Sequence, residues 1–166
     1  MQSEEKTEFV KRITENQGII HKICNFYCYN AEDRQDLYQE ITLQLWKSYP
    51  EFRSQSAFST WMYRIALNTA ITMTRKMNIF DTLAEHEQLL ILQEESESVQ
   101  ELEEDIRILY KAIEKLNKIE KAIILLWLEE KSYDEVAEIT GLSVKNVSVK
   151  LVRTKRKLAE IIKKLL

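Results

Sequence analysis

Glycine and proline are nearly missing from this chain, which has two glycines and one proline in 166 residues. An average protein devotes about 12% of its residues to the pair. With so little turn punctuation, a many-stranded sandwich or barrel is excluded. Gly18 and Gly141 stand too far apart to form a glycine-rich phosphate loop. Histidine is as scarce: His21 and His86 are the only two, and neither belongs to a Glu-x-x-His pair. A histidine-based triad or a di-iron carboxylate bundle has little to build on, so no catalytic residue and no cofactor is expected. No apolar run approaches the roughly 18 residues that a bilayer span needs; Ile123 to Leu128 has six. The opening Met-Gln-Ser-Glu-Glu-Lys-Thr-Glu lacks the basic region and apolar core of a secretion signal, so a cytoplasmic location is expected. Two cysteines, Cys24 and Cys28, lie one helical turn apart and read as reduced thiols. His21 would share their face and raises a metal-site reading, but a zinc site needs a fourth ligand and a shaping loop. Small apolar packing residues are the better account, and no metal is expected. What remains is an all-α, non-enzymatic protein.

What is present is charge, unevenly spread. The formal net charge of −3 is the balance of segments at −3 (residues 1–44), +4 (45–80), −10 (81–105), −1 (106–142) and +7 (143–166). Two basic segments are separated by a strip without a single Lys or Arg. The whole-chain value hides a nucleic-acid signature that appears segment by segment.

Apolar residues recur at helical spacing through Phe9, Val10, Ile13, Ile19, Ile20, Ile23 and Phe26-Tyr27, predicting one or two helices over about 5–29. Asn30 and Asp33 are caps ahead of a helix carrying Leu37, Ile41, Leu45 and Trp46, which ends near Pro50. A polar loop, Arg53 to Ser56, precedes a helix from Phe58 to about Arg75 whose apolar set is Trp61, Ile65, Ala66 and Met73. These elements make a three-helix domain over residues 1–77. Residues 78–105 read as an acidic linker with room for a short helix at Leu89–Leu92. Periodicity resumes at Ile106 and opens a second domain, 106–166.

In that domain Ser132-Tyr-Asp-Glu135 fits a capping box, and the helix it opens stops at Thr140-Gly141. Ser143 caps a further helix through Val144, Val147, Leu151 and Leu158, its expected core face. Two helices joined by about four residues including glycine make a helix-turn-helix, with small Ala137 and apolar Val147 spaced for a close crossing. Ser143, Lys145, Asn146, Ser148, Val149, Lys150, Arg153 and Lys155 are the candidate DNA-facing set. A helix fits the major groove, cations neutralise phosphates, and Asn146 or Ser148 reaches base edges. An ordinary helical hairpin with a solvated basic face is the plainer alternative.

The first domain carries a resemblance. Asp36-Leu-Tyr-Gln-Glu40, Leu45-Trp46, Phe52-Arg53 and Phe58-Ser-Thr-Trp61-Met-Tyr-Arg64-Ile-Ala-Leu-Asn68 resemble region 2 of bacterial RNA polymerase sigma factors, and Ser132 to Leu158 resembles region 4. Without an intervening region, the chain is similar to the small extracytoplasmic-function (ECF) group of the sigma-70 family. The resemblance covers about residues 8–77 and 106–160. It implies a transcription initiation factor that binds core RNA polymerase, recognises −35 and −10 elements and assists DNA melting. It implies as partners the polymerase beta and beta-prime subunits and promoter DNA, with an anti-sigma factor as a candidate third, and no membrane insertion.

By the same resemblance, Asp36, Gln39, Glu40, Leu43 and Trp46 would dock on the polymerase clamp helices. Arg53, Ser56, Phe58, Ser59, Thr60, Trp61, Tyr63, Arg64 and Asn68 would hold the −10 element. Flipped bases need aromatic partners, and at least one of Phe58, Trp61 and Tyr63 is expected to be mostly core. The helix-turn-helix set would take the −35 duplex. The chain departs from the family in its Thr69-Ala-Ile-Thr-Met-Thr run, in Asn146, and in Met62 beside the stacking tryptophan. The threonine run, where many relatives carry several basic residues, implies a weaker phosphate grip and melting that depends strongly on the sequence, and Asn146 in place of a common Thr puts any inherited −35 preference in doubt. The alternative reading is a stand-alone helix-turn-helix regulator whose first domain dimerises or binds a ligand.

Overall fold

The structure is a computed structural model that describes residues 2–77 and 97–166, with side chains through Thr74 and from Glu103 onward. Every described element is helical: α1 (Ser3–Glu15), α2 (Gln17–Tyr27), α3 (Ala31–Ser48), a 3-10 turn (Tyr49–Glu51), α4 (Phe58–Met77), α5 (Glu97–Glu114), α6 (Lys118–Leu128), α7 (Tyr133–Thr140) and α8 (Val144–Leu165). No described helix is long and apolar enough to cross a membrane. The chain divides into two compact units.

The first unit has four helices and a 3-10 turn where three helices were expected. The extra break lies at Asn16, whose side-chain amide donates to the Arg12 carbonyl at 2.8 Å while its backbone N–H also reaches back to Arg12 and Ile13. An Asn side chain that takes up a terminal carbonyl ends a helix that periodicity alone would continue. Asn30 caps α3 as expected, its Oδ1 accepting the Asp33 N–H at 2.7 Å. The core is built by α2, α3 and α4. Ile20, Ile23, Leu37, Ile41, Leu45, Met62, Ala66 and Ala70 are fully buried there. The buried stripe of α4 therefore runs through Met62, Ala66 and Ala70, whereas the expected Trp61, Ile65 and Met73 lie half-buried on its flank. Ala66 and Ala70 share the buried side of α4 with the larger Met62, Tyr63 and Leu67, and small residues among large ones let packed helices approach closely.

In the second unit α8 packs on α5 and α6. The core contains Ala112, Ile113, Ile123 to Leu126, Val147 and Leu151. Asn117 and Glu120 form a reciprocal capping box at the start of α6, with bonds of 2.9 and 3.0 Å. The α5 helix begins at Glu97, so residues 97–105 of the expected linker are helical. Carboxylates near a helix N-terminus are stabilised by the helix dipole, and there a run of acid is compatible with helix. The rest of the expected linker, 78–96, with its Leu89–Leu92 segment and His86, lies outside the described residues.

Candidate polymerase and nucleic-acid interfaces

On α3 the buried Leu37, Ile41 and Leu45 define the inward stripe. At 100° per residue, Asp36, Gln39, Glu40, Leu43 and Trp46 fall together in a single arc on the other side. Asp36 and Gln39 are exposed, and Leu43 leaves 43% of its surface in solvent. Glu40 is half-buried and accepts a 2.8 Å bond from Gln44 Nε2, which braces its carboxylate. Trp46 is half-buried with its ring edge-on to Phe9, centroids 5.2 Å apart. The face is acidic and amide-bearing at one end and apolar at the other.

Between α3 and α4 the chain turns through Pro50 and enters the loop that carries Arg53 and Ser56. Ser54 has a φ of 55°. A left-handed backbone costs a non-glycine residue about 1 kcal/mol or more, and such strain clusters at sites of function. Beneath the loop, Phe52, Phe58 and Trp61 touch pairwise, with centroids 5.0 to 5.7 Å apart, and Tyr49 stacks on Phe52 at 6.4 Å. Phe58, Ser59 and Trp61 are half-buried, Arg53 is exposed, and Arg64 and Asn68 are exposed one turn apart on α4. Tyr63 is 2% exposed and Thr60 is also buried, so these two candidates sit in the packing. The expectation that one aromatic of the three is core falls on Tyr63. Met62, expected beside the stacking tryptophan, is also core. The Thr69 hydroxyl donates to the Ile65 carbonyl at 2.7 Å and Thr74 to Ala70 at 2.6 Å, so these threonines satisfy the helix and add no cation.

The helix-turn-helix has the local chemistry its sequence announces. Ser132 Oγ accepts the Glu135 N–H at 3.2 Å, Gly141 takes φ +77°, and Ser143 Oγ accepts the Asn146 N–H at 3.1 Å. The buried stripe of α8 is Val147, Leu151, Thr154 and Leu158. Val144, expected in the core, is instead exposed at the first residue of α8, and Thr154 was not foreseen. Opposite that stripe lie Lys145, Val149, Arg153 and Arg156, all exposed, with Asn146 and Lys150 on one shoulder. Ser143 is exposed and Ser148 half-buried. Arg156 belongs to this arc without being in the candidate DNA-facing set, and its place two turns after Val149 is legible in the numbering. Lys155 lies to the side, its Nζ 4.7 Å above the Trp127 ring, and Lys157 pairs with Glu120 at 2.9 Å. Two of the helix's cations are thus engaged by α6.

Cys24 and Cys28 are both buried and unbridged. Burial pushes the Cys24 thiol up to about 12, slightly opposed by the charge of Arg34. Among the described residues no group of three metal-ligating side chains comes together.

A helical unit with an exposed acidic–apolar helix face and an aromatic loop, followed by a helix-turn-helix with a cationic second helix, is the architecture of a helix-turn-helix protein with a basic outward face. Comparison with known proteins fixes the family. Sigma-70 region 2 matches residues 12–78 and Sigma-70 region 4 matches 106–158. The chain is 29% identical to the ECF RNA polymerase sigma-E factor of Haemophilus influenzae, over 93% of its own length and 87% of the relative's. Against the Escherichia coli sigma-E factor it is 33% identical, covering 74% and 70% of the two chains. Its fold matches the sigma factor RpoE of Bartonella quintana, solved with the anti-sigma factor NepR, at a TM-score of 0.74 and 19% identity over 94% and 97% of the chains. The chain belongs to the ECF group of the sigma-70 family. It is a transcription initiation factor that recognises promoters and works with RNA polymerase, and the stand-alone regulator is not favoured.

Proposed function

We propose that the α3 arc of Asp36, Gln39, Glu40, Leu43 and Trp46 docks on the beta-prime clamp helices, while the second unit is held against the beta subunit. The loop from Arg53 to Ser59, with Trp61, captures the unstacked −10 strand, and Arg64 and Asn68 touch the duplex just upstream. Lys145, Asn146, Val149, Lys150, Arg153 and Arg156 lie in the −35 major groove. No covalent step is involved: binding energy to unstacked bases offsets the cost of opening the duplex. The observation that carries this reading is the outward arc of α8, exposed and predominantly cationic from Lys145 to Arg156, on a helix capped for insertion into a groove. Relatives of similar fold are solved with the anti-sigma factor NepR and, for CnrH, with the cytosolic domain of CnrY. They support an anti-sigma factor as a further partner, and action beside polymerase supports a cytoplasmic location. Run-off transcription with core RNA polymerase on genomic fragments is the test. Transcripts from a small set of shared start sequences, seen only when the chain is added, are expected. A chain that binds those fragments as tightly without core as with it, or directs no transcript, overturns the reading.

A further inference from the structure

The aromatic cluster has a component from outside the loop and α4. Arg12, on α1, places its guanidinium carbon 5.3 Å from the centre of the Phe58 ring and 5.9 Å from that of Phe52. Its Nε donates to Glu8 at 2.9 Å, one turn back, and this ion pair keeps the cation beside the rings. About a third of the side chain, 35%, is exposed. A guanidinium is planar and lies on an aromatic face much as a nucleobase does.

We propose that Arg12 is a positioning residue of the −10 strand site, covering the Phe52 and Phe58 faces in the free protein and turning to the strand's phosphate when a base displaces it. The inference rests on the −10 reading given above and adds to it a residue from a helix with no assigned role. Two physical requirements favour it. Exposed ring faces need a partner in the free protein, and a stacked cation supplies one without closing the site by apolar packing. An entering base brings a phosphate with it, so the displaced cation finds an opposite charge within the reach of its own side chain. Lysine retains the charge but lacks the plane, and glutamine retains neither.

The test uses the full chain bound to core RNA polymerase and a fluorescent pool of random-sequence single-stranded 12-mers, with core polymerase alone as reference. Affinity is measured from 0.05 to 0.3 M salt for the parent, Arg12→Gln, Arg12→Lys and Arg53→Gln. Each single-strand phosphate that loses its cationic partner lowers the salt slope by about 0.7. Arg12→Gln is therefore expected to bind more weakly at low salt, with the gap to the parent narrowing roughly threefold across the range. Arg12→Lys is expected to keep the parent's slope. A parental slope in Arg12→Gln overturns the proposal, including where that variant melts early, because a purely structural arginine changes stability and not salt dependence. If Arg53→Gln lowers the slope and Arg12→Gln does not, the proposal alone fails. If neither variant does, the −10 reading fails with it.

Discussion

Lys157 and Arg153 lie one turn apart on α8 and carry the same charge, yet their surroundings assign them different work. Lys157 is already paired with Glu120, whose carboxylate also caps α6. Arg153 stands in the outward arc with no carboxylate on its side of the helix closer in sequence than Glu160. A cation that is already neutralised releases little when it meets DNA. Arg153→Ala is accordingly expected to lower the −35 duplex salt slope by about 0.9, and Lys157→Ala by clearly less, in titrations of the holoenzyme. Equal slopes for the two variants would remove the distinction. Cys24 gives a second prediction at this scale. Its folded thiol ionises near pH 12 and an unfolded thiol near pH 8.5. Below pH 8.5 both states hold the proton and stability is unaffected; above it the unfolded chain loses the proton first, so stability falls as pH rises towards 12. Urea midpoints between pH 8.5 and 9.5 should decline less in Cys24→Ala than in the parent. A parallel decline means the thiol does not contribute. The buried Tyr27 phenol, also raised by burial, acts in the same direction at higher pH and is common to both chains.

At the scale of the element, α3 offers the sharpest test. Reversing the half-buried Glu40 charge gives up its bond from Gln44 and is expected to cost about 1 kcal/mol of stability, whereas a like charge facing a partner's charge can cost several. Glu40→Lys is expected to leave the thermal midpoint within a few degrees and to weaken binding to core polymerase about tenfold or more. A variant that binds core as the parent does takes α3 out of the interface. Elements with strong end signals were legible in the sequence: Asn30, Ser132, Gly141 and Ser143 each do in the structure what their chemistry predicts. Elements decided by competition were not. The break at Asn16 depends on one side-chain amide, and the start of α5 was concealed by the acidity of its first turns. For the candidate site, the α3 arc and the α8 arc follow from helical phase once the buried stripe is known. Tyr63, Thr60 and Val144 do not, because a phase error of one residue moves a side chain by 100°. Arg12 could not be found from spacing, since its partners lie some forty residues away.

At the scale of the whole molecule, the distribution of charge matters more than its sum. The chain is at −3 overall while residues 81–105 carry −10 and residues 143–166 carry +7. DNA approaching the free chain meets both fields, and the acidic strip opposes what α8 attracts. Six of those carboxylates belong to Glu94, Glu95, Glu97, Glu101, Glu103 and Glu104. Changing all six to glutamine removes repulsion without touching the α8 arc, so free-protein affinity for a 30-base-pair duplex should rise at low salt. The gain should shrink as salt is added, because the Debye length contracts from about 10 Å at 0.1 M to about 3 Å at 1 M. Four of the six lie within α5, so the substitutions also act on helix formation there. Helix content measured beside affinity separates the two effects. A gain that persists unchanged at high salt would be structural, and no gain at low salt would mean that the strip's field does not reach the DNA. Field repulsion alone predicts a gain at unchanged helicity that fades as the salt screens it.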